Sequence, residues 1–460
     1  MYRIERDTFG EIKVPENAYW GAQTQRALEA YQISNWRFPE NFIKALAYVK
    51  LACLEVNYEL GKIPNQYYNA IKQAINEIIE GKFNDQFPLD VFQTGSATST
   101  NMNINEVIST RANEILTNKR NTKEPIHPND HVNMGQSTND VIPTAMNVAA
   151  YYEVKYKLIP ALENLYNVII EKSKEYKDVI KTGRTHLMDA MPVSFEQEFS
   201  GWATQILYAK NRIEGTFVRL RELAIGGTAV GTGINTHPEF GKRVAQKLSE
   251  LLNLDFVEAK NHFEAQSSRD SILELSSSLK VLASALIKIS NDLRLMNSGP
   301  IAGFGEVVLP ELHPGSSIMP GKVNPVVPEA VRMVGVQVIA NDVAISISNS
   351  LGEFQLNVML PLIVYNILNS IQILTNACNL LAEKCIKGLV VNKEHVQELL
   401  YRNPILATVL NPIIGYDKAA EVVKRALKEK RSVKEIVVEM GYLSKEEAEK
   451  VFDLNKLIKP

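Results

Sequence analysis

Eleven consecutive residues, Gly315-Ser316-Ser317-Ile318-Met319-Pro320-Gly321-Lys322-Val323-Asn324-Pro325, place two hydroxyls, an ammonium and an amide between two glycines and two prolines. Glycine opens backbone angles that other residues avoid, and proline fixes φ, so this stretch is a shaped loop rather than a helix or inner strand. A surface turn between helices is the plain alternative. Three further polar islands, 93–105, 127–140 and 183–190, are rich in Ser, Thr and Asn with sparing His. Many neutral donors and acceptors with few charges suit a small dianion such as a dicarboxylate. Within Gly183-Arg184-Thr185-His186, the imidazole stands close to Arg184 and just before an expected helix. A lone histidine is most often structural; as chemistry it is a general acid or base. Lys322 is suited to meet a carboxylate as a compact charge. Glu329, at the start of the next expected helix, is placed to orient a histidine.

Other signals point away from familiar chemistries. Gly226-Gly227-Thr228-Ala229-Val230-Gly231-Thr232-Gly233 lacks the Lys-Ser/Thr ending and the preceding strand of a phosphate loop, so a tight turn or close helix approach is expected. His127 and His131 have the spacing of paired metal ligands, but that spacing aligns two rings only on a helix, and Pro128 argues against one. No G-x-S-x-G is present. Neither a metal nor another cofactor is expected.

The elements that must position these islands are helices. Apolar spacing is helical at about 40–60 and 65–79, and then in five long stretches at about 143–176, 193–223, 263–297, 326–350 and 360–386. In the third, Ile272, Leu275, Leu279, Leu282, Leu286, Ile289, Leu293 and Met296 recur in steps of three and four, a sustained seam. Rods of this length, at about 1.5 Å per residue, make an elongated bundle. The stretch 360–386 is apolar almost all round, which predicts an exposed apolar face and a homo-oligomer whose core continues across subunits. Residues 1–35 read as irregular, and 92–105 as a loop. From about Asn392 the chain is short-helical and charged, with Ser432-x-x-Glu435 and Ser444-x-x-Glu447 as capping boxes. The expected division is 1–136, 137–391 and 392–460.

Composition sets the outer bounds. The chain has 460 residues, 50 basic against 52 acidic side chains, and 45% apolar residues. A net charge of −2 gives no general attraction to nucleic acid or to anionic membrane. Cys53, Cys378 and Cys385 fit neither a disulfide framework nor a metal motif, and reduced buried thiols in a cytoplasmic protein are expected. The N-terminus has no apolar signal core. Phe354–Ala382 is free of charge but rich in Asn and Gln, which are costly against lipid, so a helix buried in a protein assembly is expected there and no membrane partner.

Taken together, the four islands resemble the fumarase/aspartase superfamily. GSSIMPGKVNP at 315–325 is similar to its signature loop letter for letter. The resemblance runs from Trp20 to Gly415-Tyr416-Asp417-Lys418-Ala419-Ala420, and is strongest to class II fumarases at Trp20–Arg26, Phe92–Ser96 and His127–Asp130. It implies a mainly α fold whose central five-helix bundle forms a twenty-helix core in a homotetramer, flanked by smaller N- and C-terminal helical domains. It also implies active sites shared among three subunits and reversible hydration of fumarate to L-malate through an aci-carboxylate. By the same resemblance Ser316 is the base, and His186, oriented by Glu329, handles the water. Lys322, Asn324 and the Ser317 N–H meet the developing anion. Ser96, Ala97, Thr98, Ser137, Thr138, Asn139, Thr185 and Val323 complete substrate binding, and His127, Pro128, Asn129 and Asp130 form an accessory anion site. Thr138, Gly135, Glu353, Gln355 and Gln266-Ser267-Ser268 depart from the usual fumarase pattern. Thr138 is shared with aspartases, so aspartate ammonia-lyase is the alternative activity and a non-catalytic structural protein the alternative class.

Overall fold

The structure, a computed structural model, describes residues 1–459. It is mainly helical. Contacts group the chain into two compact units. One comprises Met1–Pro160, Ala209–Ala283 and Val336–Thr375; the other comprises Ala161–Tyr208, Ser284–Gly335 and the chain from Asn376 onward.

The first unit begins with a hairpin, β1 (Tyr2–Asp7) and β2 (Gly10–Pro15), where the sequence suggested irregular chain. Its turn works because Gly10 adopts φ +107° and Asp7 Oδ1 accepts the Phe9 N–H at 2.9 Å. Helices α1 (Ala22–Ala30), α2 (Glu40–Glu59), α3 (Asn65–Ile79), α4 (Thr98–Thr117) and α5 (Thr138–Glu153) follow. Helix α2 packs against α3 and α5, and α3 against α4. The entry to α1 is tied to α4 by the buried Glu106 carboxylate, which accepts the Gly21, Gln23 and Thr24 N–H groups and the Thr24 hydroxyl. Helix α4 starts at Thr98, so much of the expected 92–105 loop is helical; its Asn101, Asn103 and Asn105 are buried and hydrogen-bonded.

The five long patterns are real, with local breaks. Helix α5 begins before Pro143 because Ser137 caps it in a box with Asp140, and it continues through a π-helical turn, Val154–Leu158, into α6 (Ile159–Glu175). The second pattern is α7 (Phe195–Gly215) and then α8 (Phe217–Leu220). Helix α9 (Phe240–Leu252) precedes the third, which is divided at Ser268–Arg269 into α10 (His262–Ser267) and α11 (Asp270–Met296). The fourth and fifth are α12 (Val326–Asn349) and α13 (Leu360–Leu381), the latter extended by a π-helical turn, Ala382–Ile386. The α11 seam is fully inside: Ile272, Leu275, Leu279, Leu282, Leu286, Ile289, Leu293 and Met296 are all buried.

The expectation of an exposed apolar face on 360–386 is corrected. Helix α13 is largely buried, and its exposed positions include Gln372, Asn376 and Asn379. The exposed apolar row lies on α12, where Met333, Val336, Val343 and Ile347 are 67%, 62%, 53% and 57% exposed. Helix α12 is also the one helix, among the described residues, long and apolar enough to cross a bilayer. Its buried Asp342 accepts from Ser276 Oγ at 2.8 Å and Lys280 Nζ at 2.6 Å, so this part of α12 packs on α11 by polar contacts. Asn341 donates to Ser370 of α13 at 3.0 Å.

In the second unit, Trp202 Nε1 of α7 donates to Asp292 of α11 at 3.1 Å. The C-terminal helices enclose their own core of Leu406, Leu410, Val422, Ile436 and Val437. Ser444 forms the expected capping box with Glu447, whereas Ser432 accepts from the Glu435 N–H without the reciprocal bond. Cys53, Cys378 and Cys385 are free and buried.

Candidate active site

The loop 315–325 is closed on itself. Gly315 N–H donates to the Lys322 carbonyl at 3.1 Å, and Asn324 Nδ2 donates to the Gly315 carbonyl at 2.5 Å. A Cβ on Gly315 would collide with the Lys322 carbonyl, so only glycine lets the two ends meet this closely. Inside the loop, Ser316 Oγ accepts the N–H groups of Met319 at 2.9 Å and Ile318 at 3.3 Å. Donors already aimed at a hydroxyl oxygen lower the cost of negative charge on it. Ser317, Lys322 and Val323 are exposed on the loop, and Asn324 is half-buried. Lys322, Val323 and Asn324 line a cavity of about 440 Å³ shared with Asn297, Val308 and Asn392. Glu329 lies in the first turn of α12, as expected.

His186 does not precede a helix. It sits at the tip of a hairpin formed by β3 (Ile180–Thr185) and β4 (Met188–Ser194), whose register ends at Thr185 opposite Met188. The two tip residues, His186 and Leu187, have φ of +55° and +60°. Two left-handed residues make the primed turn that matches strand twist, a place where Asn-Gly is at ease and His-Leu is strained. The polar, short strands hid this hairpin from the periodicity. Its base is pinned by Glu306, 1% exposed, whose carboxylate meets Lys181 Nζ at 2.8 Å and Arg184 at 2.7 Å. The Arg184 guanidinium also lies over the Phe304 ring. Thr185 and His186 are exposed. Among the described residues, no hydrogen bond or ion pair within the chain engages the His186 ring or the Glu329 carboxylate.

In the first unit two helix starts are joined, and helix N-termini favour anions. Ala97, buried and left-handed at φ +60°, leads into Thr98 at the start of α4, where Ser96 and Thr98 hydroxyls lie 2.7 Å apart. Ser137 caps α5 and accepts the Asn139 N–H at 3.2 Å. Asn101 Nδ2 of α4 donates to Thr138 Oγ1 of α5 at 2.9 Å, which leaves the Thr138 hydroxyl proton to donate elsewhere. The glycine-rich 226–233 stretch is the close approach expected of it. A Cβ on Gly226 would stand 2.8 Å from Gly241 Cα of α9. It also supports α5: Gly226 and Thr228 N–H groups donate to Asp140, and Asn139 Nδ2 donates to the Ala229 carbonyl. Burial raises the Asp140 carboxyl to about 6 against these donors.

The expectation that Pro128 argues against a helix is corrected. Pro128–Val132 forms a π-helical turn, with Pro at its first position where no N–H is needed. The rings do not converge as ligands: His127 Nδ1 accepts the Asn129 and Asp130 N–H groups, and His131 Nδ1 accepts the His127 N–H at 2.8 Å. Asn129 and Asp130 are exposed, and Pro128 is buried.

The sequence reading missed the supporting residues Lys50, Asn101, Asn133, Lys181 and Glu306. The Asn-x-Asn-x-Asn run at 101–105 on a helical pattern was the available signal, since buried amides must find partners.

Comparison with known proteins gives the family of the chain. The family model described as Lyase matches residues 10–340, and that described as Fumarase C C-terminus matches residues 406–459. A class II fumarate hydratase of Xylella fastidiosa (strain 9a5c) is 52% identical over 452 residues, covering 98% of this chain and 94% of that protein. A mitochondrial fumarate hydratase of Rattus norvegicus is 49% identical over 448 residues, covering 97% and 88%. The crystal structure of recombinant class II fumarase from Schistosoma mansoni superposes with a TM-score of 0.96 at 39% identity, covering 99% of both chains. Full-length identity at this level, together with the shared fold, shows that the chain is a lyase and belongs to the class II fumarate hydratase family.

Proposed function

We propose that the protein hydrates fumarate reversibly to L-malate, with Ser316 as the base. The observation that carries the assignment is the pair of N–H groups on Ser316 Oγ. Serine is ordinarily far too weak a base, and stabilising its alkoxide is what the role requires. In the malate-to-fumarate direction, Ser316 Oγ takes the C3 proton and the electron pair moves into the adjacent carboxylate. Lys322, Asn324 and the Ser317 N–H meet that charge. The C2 hydroxyl then leaves as water with a proton from His186, oriented by Glu329. Ser96, Ala97, Thr98, Ser137, Thr138, Asn139, Thr185 and Val323 hold the substrate, and His127–Asp130 serves as an accessory anion site.

The working form is a homotetramer whose sites each draw on three subunits. Two features support this: among the described residues the His186 ring and the Glu329 carboxylate have no hydrogen-bond or ion-pair partner, and α12 carries an exposed apolar row. Reduced, buried thiols support a reducing compartment such as the cytoplasm.

The test is loss of fumarate ultraviolet absorbance on adding purified protein, with and without ammonium. Loss without ammonium is expected. Loss only with ammonium would make the protein an ammonia-lyase, and no loss would favour a structural role.

A further inference from the structure

Lys50, in the middle of α2, is 1% exposed, and among the described residues no carboxylate pairs with it. Its ammonium donates to Asn133 Oδ1 at 2.9 Å and Gln136 Oε1 at 2.8 Å, both in the turn that leads into Ser137. Asn133 Oδ1 also accepts from Asn101 and Asn105 of α4, each at 3.2 Å, and Asn133 Nδ2 donates to the Gln136 carbonyl at 3.2 Å. Asn101 then reaches Thr138 Oγ1. A buried ammonium with no carboxylate in contact is costly, and a hydrophobic side chain would pack there at no such cost. The ammonium therefore has to be accounted for by what it holds and by the positive charge it places behind the starts of α4 and α5.

We propose that Lys50 is a positioning residue for substrate binding, fixing the Asn133–Gln136 turn and the Asn101–Thr138 bond while adding a positive charge behind the dicarboxylate site. The inference rests on the reading of Thr138 and Ser137 as carboxylate ligands. The groups facing the ammonium are the Cys53 thiol on α2, the Asp140 carboxylate on α5, and the neutral amides of Asn133, Gln136, Asn101 and Asn105. Burial brings Lys50 down to about 7, so its charge is available at neutral pH and lost above it. A bound dianion favours the charged form, which couples affinity to pH.

The experiment is steady-state fumarate hydration by wild type, Lys50→Met and Asn101→Ala between about pH 7 and 9. Wild-type KM is expected to rise several-fold across this range. At neutral pH, Lys50→Met is expected to raise KM by about tenfold with kcat within about threefold, and to flatten the KM–pH profile. Asn101→Ala, which cuts the relay beyond Lys50, is expected to raise KM while keeping the pH dependence. A flat wild-type KM profile overturns the proposal, as does a Lys50→Met enzyme with wild-type KM or with a loss confined to kcat. If Lys50→Met does not fold, the wild-type profile and Asn101→Ala decide. Wild type that leaves fumarate untouched refutes the functional reading instead, so the two failures are distinguishable.

Discussion

Ser316 holds two backbone donors on its oxygen in a loop whose closure depends on Gly315 and Asn324. Replacing it with alanine removes the proposed base but little of the fold, because the loop's ends are joined by other atoms. Ser316→Ala is expected to lose at least about a thousandfold in kcat while thermal unfolding and oligomer mass stay unchanged. Wild-type turnover would remove Ser316 as the base. At this scale the sequence was informative about residue type: hydroxyls, one lysine and three histidines in polar islands. It was silent on conformation. Nothing in Thr185-His186-Leu187-Met188 announces a turn, because His and Leu are poor residues for left-handed angles, and they hold them here against that preference.

The elements differ in how plainly they could be read. The α11 seam is legible because every third or fourth residue faces one core, and a period needs no tertiary knowledge. Ser137-x-x-Asp140 was an available start signal that Pro143 obscured. The β3–β4 hairpin could not be read because it is held by Glu306, which lies far away in sequence. Gly95 shows how tightly such joints are built: its carbonyl accepts the Leu360 N–H at 2.9 Å, and a Cβ there would collide with the Val358 carbonyl. Gly95→Ala is therefore expected to destabilise by about 3 kcal/mol or more, read from denaturant midpoints, since backbone rather than a mobile side chain must yield. A cost within 0.5 kcal/mol, ordinary for a surface site, would contradict that packing.

The α2–α5 contact makes a pH prediction. Burial lowers Lys50 from 10.5 to about 7. Between those values the unfolded chain holds a proton that the folded chain has released, so this term makes stability rise with pH. The stability of wild type relative to Lys50→Met should accordingly increase from about pH 7 to 10, and a difference independent of pH would mean the ammonium is not buried as described.

For the whole molecule, the apolar row on α12 and the isolated His186 ring are the facts a single chain leaves unexplained. Sequence placed the exposed apolar face on the wrong helix. It counted apolar residues on 360–386 without knowing that α13 is largely covered by its own chain while one apolar row of α12 is not. If sites draw Ser316 from one subunit and His186 from another, two inactive proteins can repair each other. The decisive measurement mixes the Ser316→Ala and His186→Ala proteins, allows labelled chains to exchange, and assays fumarate hydration. Shared sites predict recovery of up to about a quarter of wild-type activity, the fraction of sites that receive both intact residues under random mixing. No recovery, with exchange demonstrated by the labels, would contradict them.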